Sequence, residues 1–337
     1  MPIQQTAGRA AISLNRKALM DIDYLLALQS FRDATDNALS PFMETLSLLI
    51  IPIPMILMFL MYWCASREAG KRIIFSFSLG MYVNGLLKLI ACAYRPWIRD
   101  DRIIPYGDAK SGATGYSFPS GHTTYATTII GGIGVWLRKK HVIIAVLCWV
   151  IVLLVMFSRN YLGVHTPQDV IVGLVSSLIV MWIAWKIEAW TDKDPSRDRI
   201  VMVVGLVLCV ATTIFYFVKP YPMDYLADGT LLVDPTKMRI DSMHGIALVS
   251  AYVICRYFER RGFNFQEEIP FKRRLVIGLV SLIPLIAWCI FGLKVLPSAI
   301  GSEAGQFIAF AGMVVYAMIV VPNAMRLFKP QKADALK

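Results

Sequence analysis

The run VIIAVLCWVIVLLVMF, residues 142–157, contains no charged residue and passes directly into SRNYLGVHTPQD, residues 158–169. With its flanks, such a run reaches the roughly 17 to 25 residues that cross a ~30 Å hydrocarbon core as a helix. Polar chemistry then arrives all at once, where the helix ends. Pro167 opens a second apolar run, so Arg159, His165 and Asp169 are held between two spans.

The rest of the chain repeats this pattern. Of 337 residues 57% are hydrophobic and 17% charged, whereas charged residues approach about 25% of a soluble domain. Apolar runs centre on Leu46–Trp63, Ile73–Ala93, Thr123–Leu137, Val142–Phe157, Val170–Trp185, Val201–Val218, Ile246–Cys255, Val276–Leu293 and Phe307–Val321. The expected fold is therefore all-α, a polytopic transmembrane helical bundle of about nine spans. Thr123–Leu137 and Ile246–Cys255 are short, which leaves eight or nine. Residues 1–44 form an N-terminal segment without the basic stretch, apolar core and cleavage site of a secretory signal. Around Leu19–Phe31 the apolar residues are spaced as in an amphipathic helix, lying in the membrane interface or packing on the bundle.

The net charge of +11 does not indicate a nucleic-acid partner, because the basic residues sit in short loops between spans, where they orient the chain and meet anionic headgroups. If nine helices alternate, one side receives 18 Lys and Arg residues, among them Arg67, Arg138–Lys140, Arg260, Arg261 and Lys272–Arg274. The positive-inside rule places that side and the C-terminus in the cytoplasm, and the loops at 94–119 and 158–168 outside. The six cysteines fall in or beside apolar runs with no metal-ligand spacing, so they read as small buried hydrophobes.

Three segments depart from this pattern. Lys88 lies inside an apolar run seven residues before Arg95 and Pro96. That spacing is nearly two helical turns and brings both cations to one face; the plainer alternative is a lysine reaching for the interface. Phe118-Pro119-Ser120-Gly121-His122 opens an apolar helix, and free backbone N–H groups at a helix start cradle phosphate. Taken alone, it could be a simple turn. In the third segment His165 and Asp169 are four residues apart, so a helix beginning near Pro167 can hold the carboxylate against one imidazole nitrogen and leave the other free. Thr166 and Asp169 also have the spacing of a capping box.

Together these residues resemble the type 2 phosphatidic acid phosphatase superfamily, the lipid phosphate phosphatases and their haloperoxidase relatives. Lys88, Arg95 and Pro96, then Pro119, Ser120, Gly121 and His122, then Ser158, Arg159, His165 and Asp169 occupy every position of its three signatures in order. The resemblance divides the chain into the N-terminal segment 1–44, a phosphatase core 45–190, and additional C-terminal helices 191–337 that carry no readable chemistry. The number of spans is similar to the branch containing sphingosine phosphate phosphatases and glucose 6-phosphatase, and the sequence around Ser158–His165 is similar to the sphingoid-phosphate members.

The resemblance implies a phosphohistidine on His165, with Asp169 fixing its tautomer and His122 as acid and base. Lys88, Arg95, Arg159, Ser120 and the Gly121 amide bind phosphate, while Pro96, Pro119 and Ser158 shape the segments. No cofactor and no metal are expected, since three cations already serve the phosphate. The expected substrate is a lipid phosphate or diphosphate (phosphatidate, a sphingoid phosphate or a polyprenyl diphosphate), met at the outer or luminal face of a cell or endoplasmic reticulum membrane. Membrane lipids are the expected surroundings, and nothing sets an oligomeric state. A transporter and a vanadate-dependent haloperoxidase are the competing readings. Tyr116, Phe118 and Tyr161 read as lipid contacts or interfacial anchors, and His141 and His244 as bystanders.

Overall fold

A computed structural model describes residues 20–113, 115–226, 229–261 and 268–328; the sequence readings on residues 1–19 lie outside them. The fold is an all-α bundle, and the only strand-like pairing among the described residues is an isolated bridge between Tyr225 and Leu231. Residues 20–34 form α1. Ser40–Leu49 (α2) and Pro52–Ala65 (α3) follow, bent by 41°, where Pro52 cannot continue the preceding helix. Arg67–Ala91 is α4. Helix α5 runs from Gly121–Tyr125 through a π turn, Ala126–Gly131, into Gly132–Leu137. Then come Val142–Tyr161 (α6), Pro167–Asp192 (α7), Arg197–Val218 (α8), Pro235–Glu259 (α9) and Phe271–Lys294 (α10). Ser302–Phe328 closes the described chain as α11.

Among the described residues six helices are long and apolar enough to cross a membrane, or seven when α2 and α3 count as one bent span. The sequence expectation was about nine. The two runs that fall short are the two read as short, now seen as α5 and α9. For α9 the cause is position in the bundle: it lies between α4, α8 and α11, and its middle, Gly245–Val253, is buried throughout. A helix shielded from lipid by protein needs no continuous apolar surface. Its approach to α4 is close enough that a Cβ on Gly245 would strike the Tyr82 backbone.

The two ends of the bundle differ in chemistry. At one end Arg256 of α9 holds Glu188 of α7 through Nε at 2.6 Å and Nη2 at 3.0 Å, Tyr252 adds its hydroxyl at 2.7 Å, and Asp198 of α8 pairs with the same guanidinium. Arg67 with Glu259, and Arg72 and Arg260 with Asp192, join the same end. These are residues of the basic loops. At the other end α1 packs Ile22 and Leu25 on Ile103 and Trp97, and its Arg32 donates to the carbonyls of Tyr161 at 3.1 Å and Ile104 at 2.8 Å. The three signature segments meet there.

Candidate active site

Helix α4 ends at Ala91, with Cys92 at φ 47°, before the chain reaches Arg95. Lys88 and Arg95 therefore do not share one regular helical face, as their spacing suggested; the helix breaks at Cys92 between them, and the chain runs on through Arg99 without a sharp bend. Lys88 does not reach for the interface either. Its Nζ donates to the Pro119 carbonyl at 2.7 Å, with Tyr116 and Ser117 oxygens at 3.4 and 3.5 Å. A lysine placed within an apolar helix is thus tied to the backbone of the second segment. Asn84, one turn earlier, donates to the same carbonyl at 3.3 Å and to Thr124 at 3.1 Å.

In the second segment Ser120 is fully buried and caps α5, its Oγ accepting the Thr123 N–H at 3.4 Å, while its own N–H donates to the Asp169 carbonyl at 2.9 Å. Its hydroxyl was expected to donate to phosphate; in the cap it only accepts, which leaves its own proton to donate, and Ser120 stands behind Gly121 and His122 rather than in the lining of the cavity described below. Gly121 and His122 do line it.

In the third segment α6 stops at Tyr161, and Gly163, at φ 73°, turns the chain so that Thr166 can start α7. An L side chain resists that backbone angle. Ser158 Oγ bonds back to the Val155 carbonyl at 2.7 Å, and Asn160 Nδ2 donates to the His165 carbonyl at 2.8 Å. The Asp169 carboxylate has two duties that the sequence left as alternatives. Its Oδ2 accepts the Thr166 N–H at 2.8 Å, completing the capping box, and also faces His165 Nδ1 at 3.3 Å. Ser117 donates to the same oxygen at 2.5 Å.

The nitrogen expected to be free is engaged as well: Arg95 Nη1 lies 2.9 Å from His165 Nε2. His165 is 2% exposed. Burial, reinforced by the Arg95 charge, holds its pKa well below the ordinary imidazole value, against the opposing pull of Asp169. The ring is therefore neutral at neutral pH. Arg159, also buried, donates to Ser47 of α2. Lys88, Arg95, Gly121, His122, Arg159 and His165 line one cavity of about 280 Å³. That is space for a tetrahedral anion against three cations and two imidazoles. No group of three or more His, Cys, Asp or Glu able to hold a metal occurs among the described residues.

Pro96 is buried at the start of a single turn, Pro96–Arg99, and Pro119 serves through its carbonyl. Tyr116 and Tyr161 are buried rather than at a lipid boundary, the latter bonded to Ser40 at 3.1 Å. The sequence reading missed Ser117, Asn84 and Ser47, for which no spacing gives a signal. It also set His244 aside, yet Asp241, Ser242 and His244 of α9 form part of the cavity wall. The polar residues that shortened the apolar run in α9 were the available clue.

Residues 69–193 match the PAP2 superfamily. An undecaprenyl-diphosphatase of Sulfolobus acidocaldarius is 28% identical over 160 residues, 46% of this chain and 72% of the relative. A putative undecaprenyl-diphosphatase of Escherichia coli is 28% identical over 161 residues, 46% of this chain and 77% of the relative. Phosphatidylglycerophosphatase B of the same species is 38% identical over 81 residues, 22% of this chain and 31% of the relative. No solved structure matches the chain.

Proposed function

Given that the chain belongs to the type 2 phosphatidic acid phosphatase superfamily and is a lipid phosphatase enzyme, we propose that it hydrolyses a lipid phosphate or lipid diphosphate through a phosphohistidine on His165, without a metal. The observation that carries this reading is the single cavity shared by His165, His122, Lys88, Arg95 and Arg159.

Asp169 and Ser117 stand at Nδ1, so the attacking atom is Nε2. As substrate enters, its phosphate oxygens draw the Arg95 guanidinium from Nε2 toward themselves, which frees the lone pair. The P–Nε2 bond forms and the P–O bond to the lipid breaks. Positive charge on the ring is balanced by Asp169. His122, whose imidazole has no hydrogen-bond partner among the described residues, takes up a proton from solvent as the negative phosphate arrives among the cations and delivers it to the leaving oxygen. It then takes one from the water that releases phosphate. Arg95 and Arg159 bind the equatorial oxygens as planar forks, Lys88 adds charge while holding the second segment, and the Gly121 amide adds a neutral donor.

The proposed topology has nine spans, with α5 and α9 crossing inside the bundle, the signature end outside or luminal, and the ion-paired end with the C-terminus in the cytoplasm of a multi-pass cell-membrane protein. The separation of basic loops from signature loops at opposite ends supports this arrangement.

The test is phosphate release by the purified full chain in detergent from phosphatidate, a sphingoid phosphate and a polyprenyl diphosphate, with and without EDTA. Full activity after EDTA and inhibition by vanadate are expected. Activity lost to EDTA and restored only by Mg²⁺ would refute the metal-free reaction, and absence of phosphate release from all three would refute the assignment.

A further inference from the structure

The cavity has a wall that the three signatures do not supply. Asp241, Ser242 and His244 come from α9, outside the matched residues 69–193, and share the cavity with Lys88, Arg95 and Arg159. His244 is committed: its Nε2 lies 3.0 Å from Gln306 Oε1 and its ring packs on Phe310 at 4.1 Å between centroids. Asp241 is not. Among the described residues its carboxylate accepts no hydrogen bond and joins no ion pair. Ser242 is 4% exposed, and its Oγ is buried without a partner among them.

A pocket built for phosphate gains from cations and loses from a carboxylate. A sphere of 280 Å³ is only about 8 Å across, comparable to one Debye length at physiological salt, so a bound phosphate and the Asp241 carboxylate are poorly screened from each other. An alkyl phosphate bearing no donor, or an isoprenoid diphosphate with its additional negative charge, meets Asp241 as repulsion. A protonated amine close to the phosphate reverses the sign. It gives the carboxylate a charge-assisted partner and offers the Ser242 hydroxyl a donor.

We infer that Asp241 and Ser242 read a protonated amine on the substrate backbone, which makes the substrate class an amino-alkyl lipid phosphate monoester. The inference rests on the lipid phosphatase reading above and narrows it. It also assigns work to the C-terminal helices: α9 closes the cavity and sets selectivity for chemistry carried out by the core.

The experiment compares kcat/KM of the detergent-purified full chain for sphinganine 1-phosphate and for octadecyl phosphate, which has the same chain length but no amine. Wild type is expected to favour the amine at least about tenfold, the effect of one charge-assisted contact. In Asp241→Asn the ratio falls to within about threefold of unity, and Ser242→Ala reduces it in part. Equal use of the two substrates by wild type overturns the inference, with no variant needed, and leaves the phosphatase assignment standing. A preference kept intact by Asp241→Asn also overturns it. No phosphate from either compound, or from any other lipid phosphate, defeats the underlying assignment instead.

Discussion

Arg95 Nη1 stands 2.9 Å from His165 Nε2 and 2.9 Å from the Val164 carbonyl oxygen, while Asp169 Oδ2 faces the other ring nitrogen at 3.3 Å. A permanent donor on Nε2 and a carboxylate on Nδ1 together select the tautomer with its proton on Nδ1. In the proposed reaction the lone pair needed for attack is thereby aimed at the cation proposed to hold the phosphate.

His165→Ala is expected to lose turnover by at least about 10³-fold and to form no acid-labile phosphoenzyme from a ³²P-labelled substrate. His122→Ala should lose roughly 10²- to 10⁴-fold on a lipid phosphate. With p-nitrophenyl phosphate, whose leaving group needs no proton, the same variant should accumulate phosphoenzyme. Labelling of His165→Ala at the wild-type level would assign the nucleophile elsewhere.

Asp169 serves the imidazole and the cap of α7 at once, so Asp169→Asn should lower kcat by roughly 10²- to 10⁴-fold and destabilise the helix start by about 1 kcal/mol. Ser117→Ala removes one donor to that carboxylate, worth about 1.5 kcal/mol or roughly tenfold in kcat. Measured kcat for the two variants, with detergent melting curves, checks the order. A silent Ser117→Ala would remove this residue from the mechanism.

Arg159→Lys keeps the charge and loses the planar fork that bonds Ser47 and is proposed to hold a phosphate oxygen. We expect vanadate inhibition to weaken by about 10- to 100-fold, as for a lost charge-assisted bond of about 1.5 to 3 kcal/mol. Titration of activity with vanadate gives the answer; unchanged inhibition would place Arg159 outside the phosphate site.

The acid limb of kcat/KM should fall below the ordinary imidazole range, because burial and Arg95 depress the His165 pKa. A depressed pKa keeps the ring neutral and nucleophilic to lower pH, with activity lost only as pH falls through that value. Asp169 pulls the other way, so Asp169→Asn should move the limb lower still. A pH profile in the free-enzyme regime tests both signs, and an acid limb above pH 7 would contradict them.

Arg256→Ala leaves two buried carboxylates short of their main partner at the end of the bundle opposite the site, Glu188 with the Tyr252 hydroxyl and Asp198 with Arg260 at 3.5 Å. A loss of about 3–5 kcal/mol is expected, read as a lower thermal midpoint of the full chain. Molecules that remain folded should keep their specific activity.

Much of the site was legible because the signature residues are close neighbours in the chain. His165 and Asp169 are placed by one turn of helix, Thr166 to Asp169 by the capping geometry, and Gly121 and His122 by the start of a helix. The Lys88 and Arg95 pair shows the limit of that reasoning. Their helical spacing suggested a shared face, yet the helix breaks at Cys92 between them and what they share is a cavity.

Sequence alone determined the helical membrane class and the three segments from which the candidate site is built, because hydropathy and short-range spacing are local properties. Tertiary structure decided the rest: that Ser117 supports Asp169, and that α9 closes the cavity with Asp241 and Ser242. Those contacts join residues as much as about 150 positions apart. They depend on which helix is shielded from lipid by its neighbours, and a helix so shielded loses the apolar pattern by which its sequence would be recognised.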